Sequence, residues 1–210
     1  IGVLAHMGEI QVRMTCKGED PAEIARLLDD LEAKIRERLG HLVFGKDDER
    51  LEAVVGRLLR EQKATLAVAE SCTGGLVASR LTDIPGSSDY FERGVVSYSQ
   101  TAKTGLLGVP PEVIQTRGVV SLEVARAMAV GVRRMGGTTL AVATTGIAGP
   151  AGGTPEKPVG LVCVALAWEG GEAGREFRLH GEREQVKYRG AQMALEMLRR
   201  HLLGIPMDEV

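Results

Sequence analysis

Thr65-Leu66-Ala67-Val68-Ala69-Glu70-Ser71-Cys72-Thr73-Gly74-Gly75 is the stretch that decides the fold. Its first five residues form an unbroken, mostly apolar run, too short for a helix and bounded by turn residues. That pattern predicts a fully buried strand. The Gly-Gly pair then turns the chain into a helix running to Leu81. Upstream, residues 48–62 place Leu51, Val54, Val55, Leu58 and Leu59 on one face of a helix. Downstream the alternation continues. Gly94–Tyr98 reads as a strand, 101–107 as a short helix, and Ser121 as the cap of a helix through Arg134. Thr139–Ala143 is a further strand, followed by a long Gly/Pro loop. Val159–Trp168 and Gly174–Leu179 are strands joined by Glu169-Gly170-Gly171-Glu172, and 182–203 is the closing helix. Strands alternating with helices predict an α/β three-layer (α/β/α) domain. The hairpin makes its sheet mixed, and the remaining crossovers make it mostly parallel.

The 210 residues allow one medium domain, or one domain with a small appendage. Charge density places the appendage at the front. Residues 1–63 hold 11 basic and 13 acidic side chains, a denser mix than the rest of the chain. Gly8–Cys16 alternates with period two, as a half-buried strand does. Asp20-Pro21-Ala22-Glu23 starts a helix, Ile24, Leu27, Leu28, Leu31 and Ile35 give it a face, and Gly40 stops it. His41–Phe44 reads as a return strand. The expectation is a β-α-β unit over 1–46 and the main domain over 47–210.

Composition excludes several classes. Twenty-six basic and 28 acidic residues give a net charge of −2, with no field to draw the chain to nucleic acid or an anionic membrane. Seven aromatics in all provide no stacking platform for single strands. Cys16, Cys72 and Cys163 are far apart and odd in number, which suits a reducing cytoplasm better than a disulfide framework. His6, His41, His180 and His201 show no metal-ligand spacing, so no metal and no cofactor is expected. No apolar run approaches the ~18 residues of a membrane span. Ile1 is not a start methionine, and the chain is expected to be a piece of a longer protein.

Three loops, each following a predicted strand, converge on one sheet edge, where open α/β sheets bind ligands. The first holds Glu70-Ser71-Cys72-Thr73-Gly74-Gly75. Its N–H groups and the helix dipole offer an anion site, although Ser71 or Thr73 as a mere cap is the plain alternative. It lacks the Lys of a P-loop. The second holds Ser97-Tyr98 and, five residues past the tyrosine, Lys103. A lysine beside a hydroxyl can serve as base, and a solvated helix lysine is the alternative. The third, Thr144-Thr145-Gly146-Ile147-Ala148-Gly149-Pro150, brings backbone N–H groups close to a ligand, or is only a surface connection. Together they supply hydroxyls, one amine and no histidine, which fits a hydroxyl nucleophile with a lysine base.

The blocks Ala69–Gly75, Pro85-Gly86-Ser87-Ser88, Phe91-Glu92-Arg93-Gly94, Ser97-Tyr98-Ser99, Ala102-Lys103, Gly118-Val119-Val120-Ser121, Thr145–Pro150 and Lys157-Pro158-Val159-Gly160 carry a resemblance. In this order, over residues ~50–203, they resemble the CinA C-terminal family of nicotinamide-nucleotide amidohydrolases. Residues 1–46 resemble the KH-like linker of longer CinA proteins, in which a molybdopterin-binding-like domain comes first. The resemblance implies hydrolysis of nicotinamide mononucleotide to nicotinic acid mononucleotide and ammonia, a salvage step that needs no metal.

It also matches the family's catalytic serine, tyrosine and lysine to Ser71, Tyr98 and Lys103. The preferred division has Ser71 attack, Lys103 as base and Tyr98 relaying a proton; a water held by Ser71 and Lys103 is the runner-up. Substrate contacts are expected from Glu70, Thr73, Gly74, Gly75, Arg93, Ser97, Thr145, Gly146 and Gly149. Arg93 is the phosphate candidate, and Glu70 is a second candidate to orient the lysine. Cys72 reads as a small buried filler. The expected partners are the pyridine nucleotide, a second copy of the chain in a homo-oligomer, and the missing N-terminal domain, with no membrane. A non-catalytic nucleotide- or nucleic-acid-binding adaptor is the alternative class. Residues 1–46 lack the GxxG with which a KH module clamps a nucleic-acid backbone, which weighs against it.

Overall fold

The computed structural model describes residues 1–207. It divides into two compact units, one of Ile1–Asp48 and one from Glu49 onward.

In the first unit β1 (Gly2–His6) and β2 (Glu9–Arg13) form an antiparallel hairpin, with His6 opposite Glu9. Met7 and Gly8 make the two-residue turn, and Gly8 sits at φ 84, where only glycine is unstrained. Helix α1 (Pro21–Leu39) follows. Asp20 caps it by accepting from Ala22 N, and Pro21 fills its first position. The expected return strand at His41–Phe44 is instead a 3₁₀ turn over Gly40–Leu42. The unit is therefore ββα and not β-α-β. Both strands precede the helix, because the alternating run pairs with the apolar segment immediately before it. A four-residue apolar run such as 41–44 has no period by which to tell strand from turn.

The second unit begins with α2 (Leu51–Glu61). Its sheet contains β3 (Leu66–Glu70), β4 (Phe91–Val96), β5 (Leu140–Gly146), β6 (Leu161–Trp168) and β7 (Gly171–Arg178), in the order β4-β3-β5-β6-β7. β3 is parallel to both β4 and β5, while β5–β6 and β6–β7 are antiparallel. Only β6 runs against the other four. Four of the five strands thus run the same way, in the mixed, mostly parallel sheet expected. β6 alone reverses because the 147–160 loop contains no crossover helix and returns it directly beside β5.

Helix α3 (Leu76–Thr82) carries the chain from β3 to β4. Then α4 (Gln100–Leu107), α5 (Pro111–Arg117) and α6 (Leu122–Gly136) carry it back past β3 to β5. Helix α7 (Arg183–Leu203) closes the chain. α2 and α3 pack with α7, whereas α4 and α5 pack with α6. Right-handed crossovers in opposite directions place the two helix sets on opposite faces. Ala67, Ala69, Ala141, Ala143, Ala165 and Ala167 turn toward α6 and meet its Val124, Met128 and Val132. Alternate alanines let this helix lie close to the sheet. The direction of winding reverses at β3, and the carboxyl ends of the strands at such a reversal are where open sheets hold ligands.

Candidate active site

The main chain leaves β3 still fastened to the sheet, with Ser71 N donating to Thr144 O at 3.0 Å. Gly74 (φ 65) and Gly75 (φ 97) then turn it into α3. Glu70, at the last strand position, folds its carboxylate back over that helix. Oε2 accepts from Gly75 N at 2.9 Å and Val77 N at 3.1 Å, and Oε1 accepts from Ala78 N at 2.9 Å. An internal carboxylate thus satisfies three N–H groups at this helix start and offsets the dipole of α3. Two expectations change with it. Glu70 neither orients the lysine nor faces a substrate, and the Gly75 end of α3 is already filled by a carboxylate and is no anion site.

Lys103 arrives from the neighbouring strand. Ser99 caps α4, its Oγ accepting from Ala102 N at 3.0 Å. The first turn of α4 then folds Lys103 back under the ends of β3 and β4, where it is 0% exposed. Its Nζ lies 2.9 Å from Ser71 Oγ, 2.7 Å from Ser97 O and 3.3 Å from Tyr98 O. These are all neutral oxygens. Burial pushes its pKa down to about 8, with the adjacent Cys72 thiol acting weakly the other way. A neutral amine has two N–H groups and one lone pair. The two carbonyls accept the N–H groups, which leaves the lone pair for the Ser71 hydroxyl. Burial pushes the Cys72 thiol up to about 12, so it stays protonated and inert beside the serine.

Tyr98 is 57% exposed at the mouth of this cluster. Its hydroxyl accepts from Arg183 Nη2 at 2.8 Å, while Arg183 Nη1 donates to Gly149 O at 2.8 Å. Arg183 therefore ties the tyrosine to the third loop. Lys187, one turn further along α7, brings its Nζ to 3.6 Å from the point where a side chain on Gly74 would begin. Sequence reasoning missed both cations. They open the last helix, far from the quoted loops, and only their i, i+4 spacing hinted at a shared face.

The other expected contacts are placed differently. Thr73 is buried and shares its hydroxyl with Thr144 at 2.7 Å. Thr145 is buried and donates to Val119 O at 3.1 Å. Both hydroxyls tie loops together. Gly146 is a close-packing position, where a Cβ would stand 2.6 Å from Leu161 O and 3.0 Å from Cys72 Sγ. Gly149 offers its carbonyl to Arg183. Ser97 is wholly buried behind Lys103 and not open to a substrate. Arg93 is not brought to the cluster. It pairs in register with Ala67, three residues back from Glu70, and lies 3.7 Å from Glu92. Lys157 pins the 147–160 loop by donating to Arg117 O and, at 2.6 Å, to Val120 O.

A hollow of about 370 Å³ lies elsewhere, lined by Leu107, Pro110, Arg126, Val130, Arg134 and Glu172 among others, and contains none of these groups. The chemistry, not the volume, marks the site. Among the described residues no group of three His, Cys, Asp or Glu side chains stands together as metal ligands, and no helix is long and apolar enough to cross a membrane.

Comparison with known proteins agrees with the two-part structure. Residues 48–202 match the CinA C-terminal domain, and residues 1–45 match the KH domain of the damage-inducible protein CinA. A CinA-like protein of Geotalea uraniireducens is 50% identical over 96% of this chain and 48% of its own length. A putative competence-damage inducible protein of Moorella thermoacetica is 51% identical over 95% of this chain and 48% of its own. The chain thus spans about half the length of the curated relatives it matches. Among solved structures, the competence/damage inducible protein CihA from Agrobacterium tumefaciens is 40% identical, with a TM-score of 0.71. It covers 77% of this chain and 98% of its own.

Proposed function

Because the chain belongs to the CinA family, we propose that it is an amide hydrolase converting nicotinamide mononucleotide and water to nicotinic acid mononucleotide and ammonia. One observation carries this reading: a buried lysine, surrounded by neutral oxygens, 2.9 Å from a serine hydroxyl at the carboxyl end of the central parallel strand. Burial brings the amine's pKa down to about 8, so a fraction is neutral near physiological pH, and a neutral amine beside a serine is a nucleophile with its base in place.

The reaction then runs in two halves. Ser71 Oγ attacks the carboxamide carbon as its proton passes to Lys103 Nζ. The tetrahedral oxygen takes its negative charge beside the turn that follows Ser71, where backbone N–H groups of Cys72 and Thr73 are the nearest donors in sequence. Lys103 returns the proton to the amide nitrogen, the C–N bond breaks and ammonia leaves. Water attacks the acyl-serine by the same proton route, giving the carboxylate and restoring Ser71. Tyr98, held by Arg183, stands at the mouth to meet the substrate, and Arg183 and Lys187 supply positive charge for a nucleotide phosphate. The scheme uses neither a metal nor a cofactor.

Ammonia release by the purified chain is the test, with nicotinamide mononucleotide, nicotinamide riboside and nicotinamide as substrates in the presence of EDTA. The mononucleotide should be turned over fastest and EDTA should not slow it. No release from any of the three would refute the activity, and loss in EDTA restored by zinc would refute the metal-free route.

A further inference from the structure

Ser97 follows β4 with its main chain held on both sides. Its N–H donates to Glu70 O at 2.8 Å, and its carbonyl accepts from Lys103 Nζ at 2.7 Å. Its side chain is 0% exposed, and among the described residues Oγ has no hydrogen-bond partner. The surrounding hydroxyls differ, for those of Ser71, Thr73, Thr144 and Thr145 all have partners. Buried polar groups are nearly always satisfied, and an orphan is costly. Alanine would fill the same space without that cost. A hydroxyl placed at this cost, on the residue whose carbonyl grips the base, calls for a partner, and one that arises when that base carries its charge.

Lys103 supplies one. As a neutral amine its two N–H groups are taken by the carbonyls of Ser97 and Tyr98. Once it accepts the Ser71 proton it becomes an ammonium, whose third N–H points back at Ser71 Oγ and whose full charge lies among neutral oxygens. We propose that Ser97 is a positioning residue for Lys103: its hydroxyl oxygen turns to the ammonium while Lys103 holds the proton taken from Ser71. The proton count is closed. The Ser71 O–H bond breaks as the Nζ–H bond forms, and Nζ–H breaks again when the proton passes to the departing nitrogen. Ser97 gives up no proton: its oxygen competes for the N–H that Tyr98 O holds at only 3.3 Å, as acceptor in a charge-assisted hydrogen bond. The inference rests on Ser71 and Lys103 being a nucleophile and its base, and not on the identity of the substrate.

The test uses the full chain as wild type, Ser97→Ala and Ser97→Thr. A fluorophosphonate probe reads the nucleophilicity of Ser71, with the labelled residue located by mass spectrometry. Ammonia release from nicotinamide mononucleotide and the melting temperature are read in parallel. Ser97→Ala should melt at or above wild type yet label Ser71 roughly 10- to 100-fold more slowly. Ser97→Thr, which keeps the hydroxyl, should label within a few-fold of wild type. Labelling of Ser97→Ala at the wild-type rate would overturn the proposal, as would slow labelling accompanied by a clear fall in melting temperature. A wild type that labels at Ser71 but releases no ammonia removes only the substrate, and the labelling ratio still decides the role of Ser97. A wild type that does not label overturns both.

Discussion

Lys103 is buried against carbonyls and a hydroxyl, and that setting has a pH signature. Its pKa stands near 8 in the folded chain against 10.5 for the free side chain. Between those values the unfolded chain binds the extra proton, so this residue makes stability rise with pH from about 8 toward 10.5. Below pH 8 both states are protonated and the cost of burying the ammonium is present in full. Urea midpoints at pH 7.5, 9 and 10 should therefore climb in wild type relative to Lys103→Met, where this contribution is absent. The hydrolytic rate should rise through pH 8 in step, as the amine becomes neutral. Ser71→Ala and Lys103→Ala should each lower kcat on the order of 10³-fold, and the double variant little further, because they act as one unit. Were Ser71 only a helix cap, its loss would cost about 1 kcal/mol of stability and spare turnover. The reading of Ser71 and Lys103 as neighbours was legible because each follows a parallel strand of one sheet. Arg183 was not, since nothing in its local sequence shows which loop the closing helix will face.

At the scale of elements, buried runs were easy to read and short ones were not. β3 is buried along its whole length and stands where expected, and the β6–β7 hairpin follows from its glycines. Helix α5 was overlooked although Pro111 opens it and Gly118 ends it, both ordinary boundary signals. The return strand at His41–Phe44 failed because four residues carry no usable period. The role of Glu70 was hidden for another reason: a carboxylate five to eight residues ahead of the N–H groups it caps fits no local capping pattern. Packing at α6 gives an element-scale prediction. A Cβ on Gly131 would lie 2.0 Å from the carbonyl oxygen of Leu107, the last residue of α4. Main chain cannot step aside as a side chain can, so α4 must shift, and with it Lys103 one turn back. Gly131→Ala should destabilise by roughly 1–2 kcal/mol, because overpacking outweighs the gain in helix propensity, and kcat should fall. Gly105→Ala, in α4 with open space around it, is the control and should be neutral or stabilising.

Across the whole molecule, the two units are unequal in what holds them together. In the first, α1 has nineteen residues and none is buried, and Val3, Leu4 and Ile10 of the hairpin stand exposed. So little burial at this size leaves a unit near the limit of independent stability. The second unit holds the alanine-lined core against α6, the sheet and every group placed around Ser71. Nothing in that set of contacts uses residues 1–46. A chain of residues 47–210 should therefore fold cooperatively, with a melting temperature within a few degrees of the full chain, and release ammonia at a comparable kcat. Circular dichroism melts and the ammonia assay on the two chains check this. If the shorter chain is unfolded, the first unit supplies stability that its own exposure does not reveal, and the boundary is misplaced. If it folds but loses turnover, the first unit contributes to the site itself, and Ser71, Lys103 and the groups around them are not the whole of the machinery.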